Sequence, residues 1–229
     1  WQQRLMGFIV QLEGANPRYA ERYPLGRRKT QGNALPTHPL PPDNFNSLKL
    51  PITKEKKTYY RLNPASYGSA IYFDRSGRGR FDSRNASYGI CYLGETIEVT
   101  FIESFGRQLG VNFISQDLIK TRNLFSIESG RSLVLLDLFG SGLTKLGVDS
   151  RLTSSGDYAV SRAWCEAIYH HPLQVDGIRY FSRHDNTRLC CGLFERSKLQ
   201  LEEKNLGNLI DFDVTKFAEI LAIYDYGIA

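Results

Sequence analysis

Apolar positions recur along this chain at two spacings, one helical and one alternating. Val160, Ala163, Trp164, Ala167 and Ile168 fall at i, i+3, i+4, i+7 and i+8, which predicts a helix over 158–170. Ser154 and Asp157 precede it with the spacing of a capping box. A second helix is predicted after Thr96, a suitable N-cap, with Glu98 in its first turn and Ile97, Phe101, Ile102 and Phe105 on one arc. Trp1, Leu5, Phe8, Ile9 and Leu12 predict a short amphipathic helix at the start.

Short runs rich in aromatic and branched residues predict strands at Thr58–Leu62, Ala70–Phe73, Tyr88–Leu93 and Ser132–Leu138. Gly177–Ser182 and Leu189–Phe194 form a predicted strand pair across a polar turn at His184-Asp185-Asn186, and Leu209–Ile228 is read as a final strand and helix. Strands dominate and helices do not follow each one, so the fold class is α+β, with mixed or antiparallel sheets and inserted helices.

Proline changes the picture at one end. Seven of the nine prolines lie between Gly14 and Pro51, which predicts an extended arm rather than paired structure. Charge follows the same division. Residues 1–57 hold 10 Lys/Arg against 4 Asp/Glu, and residues 58–229 hold 19 against 20. The expected organisation is therefore a basic, proline-rich arm with a leading helix (1–57) and a near-neutral body (58–229). A body without net positive charge lacks the footprint of nucleic-acid binding, so any polyanion contact would rest on the arm cations Arg27, Arg28, Lys29, Lys54, Lys56 and Lys57.

The 229 residues suffice for one domain with a sizeable core, and 41% are hydrophobic. No apolar run approaches the length that crosses a bilayer, so no membrane association is expected. Cys91, Cys165, Cys190 and Cys191 sit among apolar neighbours without metal-ligand spacing, as buried reduced thiols do. With no signal-peptide pattern at the start, the expected compartment is the cytoplasm.

Common chemical motifs are missing: no dinucleotide-binding glycine fingerprint, no Walker-type loop, no nucleophile elbow and no zinc-protease helix motif. His170-His171 ends a helix before Pro172, a place suited to the helix C-terminus rather than to metal ligation. What remains is an ordered set of segments: Tyr60-Arg61-Leu62; Gly79-Arg80-Phe81-Asp82; Gly89-Ile90-Cys91-Tyr92-Leu93, with Glu103 eleven residues after Tyr92; and Asp176-Gly177-Ile178-Arg179-Tyr180-Phe181-Ser182-Arg183.

In this order, residues 58–197 resemble the RES domain family, named for its Arg, Glu and Ser. The resemblance implies a fold like that of ADP-ribosyltransferases and degradation of NAD by hydrolysis or phosphorolysis. It also implies, for many members, a toxin neutralised by a helix-turn-helix (Xre-type) antitoxin. Carried over by position, the family Arg falls on Arg61, its Tyr on Tyr92, its Glu on Glu103 and its Ser on Ser182, with Arg80 as a further substrate contact. NAD is then the substrate, inorganic phosphate or water the acceptor, and no metal or other cofactor is expected.

Three features depart from the family pattern, one being Leu62 after Arg61, where some relatives have an aromatic residue. The glycine-rich segment ends in Asp82 where many members carry Asn, and the long interval from Glu103 to Ser182 suggests an insertion around residues 110–155.

Each residue type suits the implied chemistry. A guanidinium at Arg61 can grip pyrophosphate oxygens in a fork. Tyr92 can lie beneath the cationic nicotinamide. A carboxylate at Glu103 can stabilise positive charge developing on the ribose, and Ser182 can orient either Glu103 or the sugar. Helical periodicity alone puts Glu103 nearly opposite the apolar arc, on what would be a solvated side.

Two alternatives stay open: ADP-ribose transfer to a macromolecule, and a nucleic-acid-binding module acting through the arm. A homo-oligomeric contact through the amphipathic start and the arm is a further expectation.

Overall fold

Backbone alternation explains most of the architecture in the computed structural model, which describes residues 38–108 and 110–229. The elements run β1 (Ile52–Glu55), β2 (Tyr59–Pro64), β3 (Ile90–Gly94), α1 (Ile97–Phe105), β4 (Phe113–Ile114), α2 (Gln116–Lys120), β5 (Arg122–Ser129) and β6 (Leu133–Asp137). Then come α3 (Ser141–Leu146), α4 (Arg151–Ser154), α5 (Ala159–His170), β7 (Gly177–Phe181), β8 (Leu189–Phe194), β9 (Leu201–Asn208), α6 (Leu209–Phe212), α7 (Val214–Tyr224) and β10 (Gly227–Ile228).

Eight strands form one sheet in the order β1-β6-β7-β8-β3-β2-β5-β9, and β10 pairs with β4 separately. Within the large sheet every pairing is antiparallel except β6 with β7. A parallel pair needs a long crossover, which the chain supplies through α3, α4 and α5. The class is thus α+β with a mostly antiparallel sheet, as the strand-dominated pattern predicts.

Successive side chains on each strand point to opposite faces. One face carries Leu62, Ile90, Tyr92, Ile178, Tyr180, Cys190 and Phe194. On it, α5 buries Trp164, Cys165 and Ile168 beside Ile90 and Ile178, while α1 and α7 bury Phe101, Phe217 and Ile220 beside Leu62. The other face carries Tyr59, Cys91, Phe125, Ile127, Leu135, Cys191 and Leu193, closed by Ala70 with Ile71 and Phe73. Helix α1 approaches β3 so closely that a Cβ on Gly94 would collide with Thr100 Oγ1 and lie 2.8 Å from Val99 Cγ1. The Thr96 cap is as predicted, its side chain accepting from Val99 N at 3.3 Å.

Several expectations are corrected. Residues 38–57, assigned to the arm, belong to the body: His38–Ala229 is one unit, Phe45 and Leu50 enter its core, and β1 pairs with β6. The proline pattern hides this because a 3-10 turn and an edge strand tolerate flanking prolines. Of the arm cations, Lys57 pairs with Glu55 and Glu95, and Lys56 donates to the Gly130 carbonyl. The helix over 1–12 and the rest of the arm to residue 37 lie outside the described residues.

Ala70–Phe73 is not a strand, because its backbone bonds to side chains. Ala70 N and Ile71 N donate to Glu203 Oε2 at 2.7 and 2.9 Å, and the Ala70 and Tyr72 carbonyls accept from Arg61. Residues 110–155, read as an insertion, contain β5 and β6, both integral to the sheet. Ser154 does not cap α5; Asp157 does part of that work, accepting from Ala159 N at 2.9 Å. The last segment is two helices and a two-residue strand, α6, α7 and β10.

Among the described residues no helix is long and apolar enough to cross a membrane.

Candidate active site

Beside α5, on the face of the sheet that carries Tyr92, the segment Gly79–Asp82 folds over β3. Its anchor is Tyr92. The Tyr92 hydroxyl donates to Asp82 Oδ1 at 2.7 Å and accepts from Phe81 N at 3.0 Å, and the Asp82 Oδ2 oxygen accepts from Gly79 N at 2.7 Å. Asp82 is fully buried, and a Cβ on Gly79 would meet both its carboxylate and, at 2.6 Å, the Tyr92 oxygen. Only glycine fits there. Burial, reinforced by Asp82, holds the Tyr92 phenol well above its usual range, so it stays a donor.

This anchoring fixes Arg80, which is 8% exposed. Its Nη1 donates to the Ser155 carbonyl, its guanidinium carbon lies 4.5 Å from the centre of the Tyr158 ring, and its Nη2 is buried with no partner among the described residues. Burial pulls the Arg80 pKa below its ordinary value; Tyr158 and Glu103 oppose that shift and Arg183 adds to it, so Arg80, Glu103 and Arg183 share one electrostatic neighbourhood. A buried, unpaired guanidinium N–H is costly, and an anion is the kind of partner that would satisfy it.

Glu103 is half-buried rather than solvated. It stands on the face of α1 that also carries Val99, Ile102 and Gly106, and Val99 and Ile102 pack with Cys190 of β8. Ser182 Oγ, just past the end of β7, donates to Glu103 Oε1 at 2.6 Å. The same oxygen accepts from His184 N at 3.0 Å and Asp185 N at 3.2 Å, which fixes its lone pairs and leaves its proton for the carboxylate. Desolvation, partly offset by Glu103, lowers the His184 pKa from its ordinary value. A cavity of about 300 Å³ opens beside this turn, lined by Arg183, His184, Ile102, Asn112, Tyr224 and Tyr226 among others.

The structure ties the Arg80 loop to Tyr92 and, separately, Glu103 to Ser182, and turns Arg61 to the opposite face of the sheet. Arg61 Nη1 lies 3.1 Å from Cys91 Sγ, and Cys91 points to the opposite face of the sheet from Tyr92. Its other contacts are the carbonyls of Ala70 and Tyr72, at 2.8 and 3.1 Å. Arg61 staples the 65–73 loop, while Arg80 is the predicted site cation whose charge is felt from Glu103. Periodicity supplied a warning, since Arg61 and Cys91 are on neighbouring strands and both face away from the helices. Tyr158 and Tyr180 were missed; their rings, one 4.5 Å from the Arg80 guanidinium and the other 4.8 Å from the ring of Phe81, carry no sequence signal beyond being aromatic.

Comparison with known families settles the relationship. The model of the RES domain matches residues 58–214. The chain belongs to the RES domain family. A Sinorhizobium fredii (strain NBRC 101917 / NGR234) protein named "Probable toxin y4kH" is 30% identical over 87 residues, covering 38% of this chain and 68% of that protein. Among solved structures, a chain of the Mycobacterium tuberculosis MbcT–MbcA toxin–antitoxin complex superposes with a TM-score of 0.55 at 15% identity, covering 75% of this chain and 92% of that one. At that identity the likeness is one of fold.

The RES segment from Gly79 to Tyr92 yields a direct test. Tyr92→Phe removes the hydrogen that Asp82 Oδ1 accepts and the acceptor for Phe81 N. Leaving a buried carboxylate short of a donor is expected to cost about 1.5–3 kcal/mol in urea unfolding. An unchanged midpoint would show that the loop is held by something else.

Proposed function

We propose that this RES domain cleaves the nicotinamide–ribose bond of NAD, with inorganic phosphate or water as acceptor, and acts as the toxin of a toxin–antitoxin pair. The observation that carries the reading is the buried, unpartnered Arg80 Nη2 in the same neighbourhood as a carboxylate held by a serine. An anion-seeking fork and a fixed negative charge are what a dinucleotide with a reacting ribose requires. The family membership and the two toxin relatives point the same way.

In this mechanism the pyrophosphate of NAD occupies the free side of Arg80, with Arg183 at the rim. The C1′–N bond breaks heterolytically, and its electron pair goes to the ring nitrogen, so nicotinamide leaves neutral. Positive charge develops at C1′ and is stabilised by the Glu103 carboxylate through the ribose hydroxyls. Ser182 keeps that carboxylate aimed. A phosphate oxygen then bonds to C1′ to give the 1″-phosphate of ADP-ribose, or water bonds and releases a proton to give free ADP-ribose. Tyr92 takes no part as a stacking platform here; its hydroxyl holds the Arg80 loop, and Tyr158 and Tyr180 supply the aromatic surfaces nearby. A helix-turn-helix partner would neutralise the toxin by covering this cleft.

Mass spectrometry of NAD incubated with purified protein, with and without phosphate, tests the proposal. Nicotinamide must appear, together with ADP-ribose or its 1″-phosphate. Intact NAD under both conditions would refute the activity.

A further inference from the structure

The family match ends at residue 214, yet helix α7, which runs from Val214 to Tyr224, packs on the helix that carries Glu103 and on the turn that follows Ser182. Tyr224 touches both elements that carry the Glu103–Ser182 pair. Its ring stacks on Phe101 of α1, with centroids 6.2 Å apart and planes 11° from parallel, two residues before Glu103. Its hydroxyl donates to Asp185 Oδ2 at 2.9 Å.

Asp185 organises the turn that holds Ser182. Its carboxylate also accepts from Arg188 Nη1 and Thr187 Oγ1, both at 2.6 Å, and from Thr187 N at 3.0 Å. Its own N–H donates to Ser182 Oγ, and the turn closes where Ser182 N donates to the Arg188 carbonyl at 3.0 Å. Four donors on one carboxylate keep Asp185 ionised, with a pKa of about 2. The other end of α7 is fastened to α1 by Lys216 and Glu98, 2.5 Å apart, and by the neighbouring Phe217 against Phe101.

We infer that Tyr224 and Asp185 are positioning residues for the NAD-cleaving site, so that the segment beyond the family match sets the aim of Glu103 through Ser182. The relay runs from the Tyr224 hydroxyl to Asp185, from the Asp185 N–H to Ser182 Oγ, and from the Ser182 proton to Glu103. A hydroxyl held by two backbone N–H groups has one direction left for its proton, and loosening the turn releases that constraint. Geometry of this kind affects kcat more than KM, because it governs the charge met in the transition state rather than the grip on the dinucleotide.

The inference rests on the reading under Proposed function, so its test has one measurement that needs no turnover. Tyr224→Phe keeps the ring on Phe101 and removes only the hydroxyl. It is expected to lower kcat for NAD about tenfold with KM unchanged, while Tm falls by no more than about 4 °C, the shift of a single lost hydrogen bond in a domain of this size. In the Ser182→Ala background the same substitution is expected to cost nothing further, since the relay passes through that serine.

Amide hydrogen exchange at His184 and Asp185, both donors to Ser182 Oγ, is expected to quicken in Tyr224→Phe. An unchanged kcat in Tyr224→Phe, or additivity with Ser182→Ala, overturns the positioning role. If wild-type protein turns over no NAD, the catalytic reading fails on its own, and exchange decides whether the relay exists: faster exchange supports it and unchanged exchange overturns it.

Discussion

Glu103→Gln is expected to suppress nicotinamide release about 10²–10³-fold, the usual effect of removing one preorganised electrostatic group from an active site. The substitution keeps shape and the ability to accept from Ser182 Oγ, and removes only the negative charge. The fold should survive it, because Val99, Phe101 and Ile102, which pack α1 against the sheet and α7, are untouched. Loss of activity with an unchanged unfolding midpoint therefore assigns the charge to chemistry. Turnover within a factor of about three of wild type would show that the developing ribose cation is stabilised elsewhere, well short of the effect of one such group.

The second large effect separates two arginines. Arg80→Lys retains charge but loses the fork, and a lysine ammonium cannot reproduce bidentate phosphate contact. KM for NAD is expected to rise about tenfold or more, as the loss of a charge-assisted bond of about 1.5–3 kcal/mol implies. Arg61→Gln gives the opposite signature. It removes the hydrogen bonds to the Ala70 and Tyr72 carbonyls, so stability falls by about 1.5–3 kcal/mol while KM holds. Steady-state kinetics paired with urea unfolding of both variants checks this. A raised KM in Arg61→Gln with Arg80→Lys silent would return the phosphate-binding role to Arg61.

These two arginines also show where local pattern stops being informative. Both lie in segments shared with the RES family, and both are cations on or beside a strand. Which one lies on the Tyr92 side of the sheet depends on the face to which each strand position projects, and on a loop that folds back over its own sheet. The family order located Glu103, Ser182 and Tyr92, but periodicity placed Glu103 on a solvated side. It is half-buried because β8 and the 182–185 turn cover that side of α1, and both come from about 80 to 90 residues further along the chain.

The sequence by itself determined the α+β class, the helix read over 158–170, the capped helix after Thr96 and the β7–β8 pair, because each rests on short-range periodicity and capping. Tertiary structure decided what depends on distant partners. Ala70–Phe73 has strand composition, but its backbone is taken by Arg61 and Glu203. Residues 110–155 lack a clear pattern, yet supply the two strands β5 and β6. The Tyr224–Asp185–Ser182–Glu103 chain of hydrogen bonds exists only once α1, the turn after β7 and α7 converge, since hydrogen bonds across 39 and 79 residues of separation leave no periodic trace in either partner's neighbourhood.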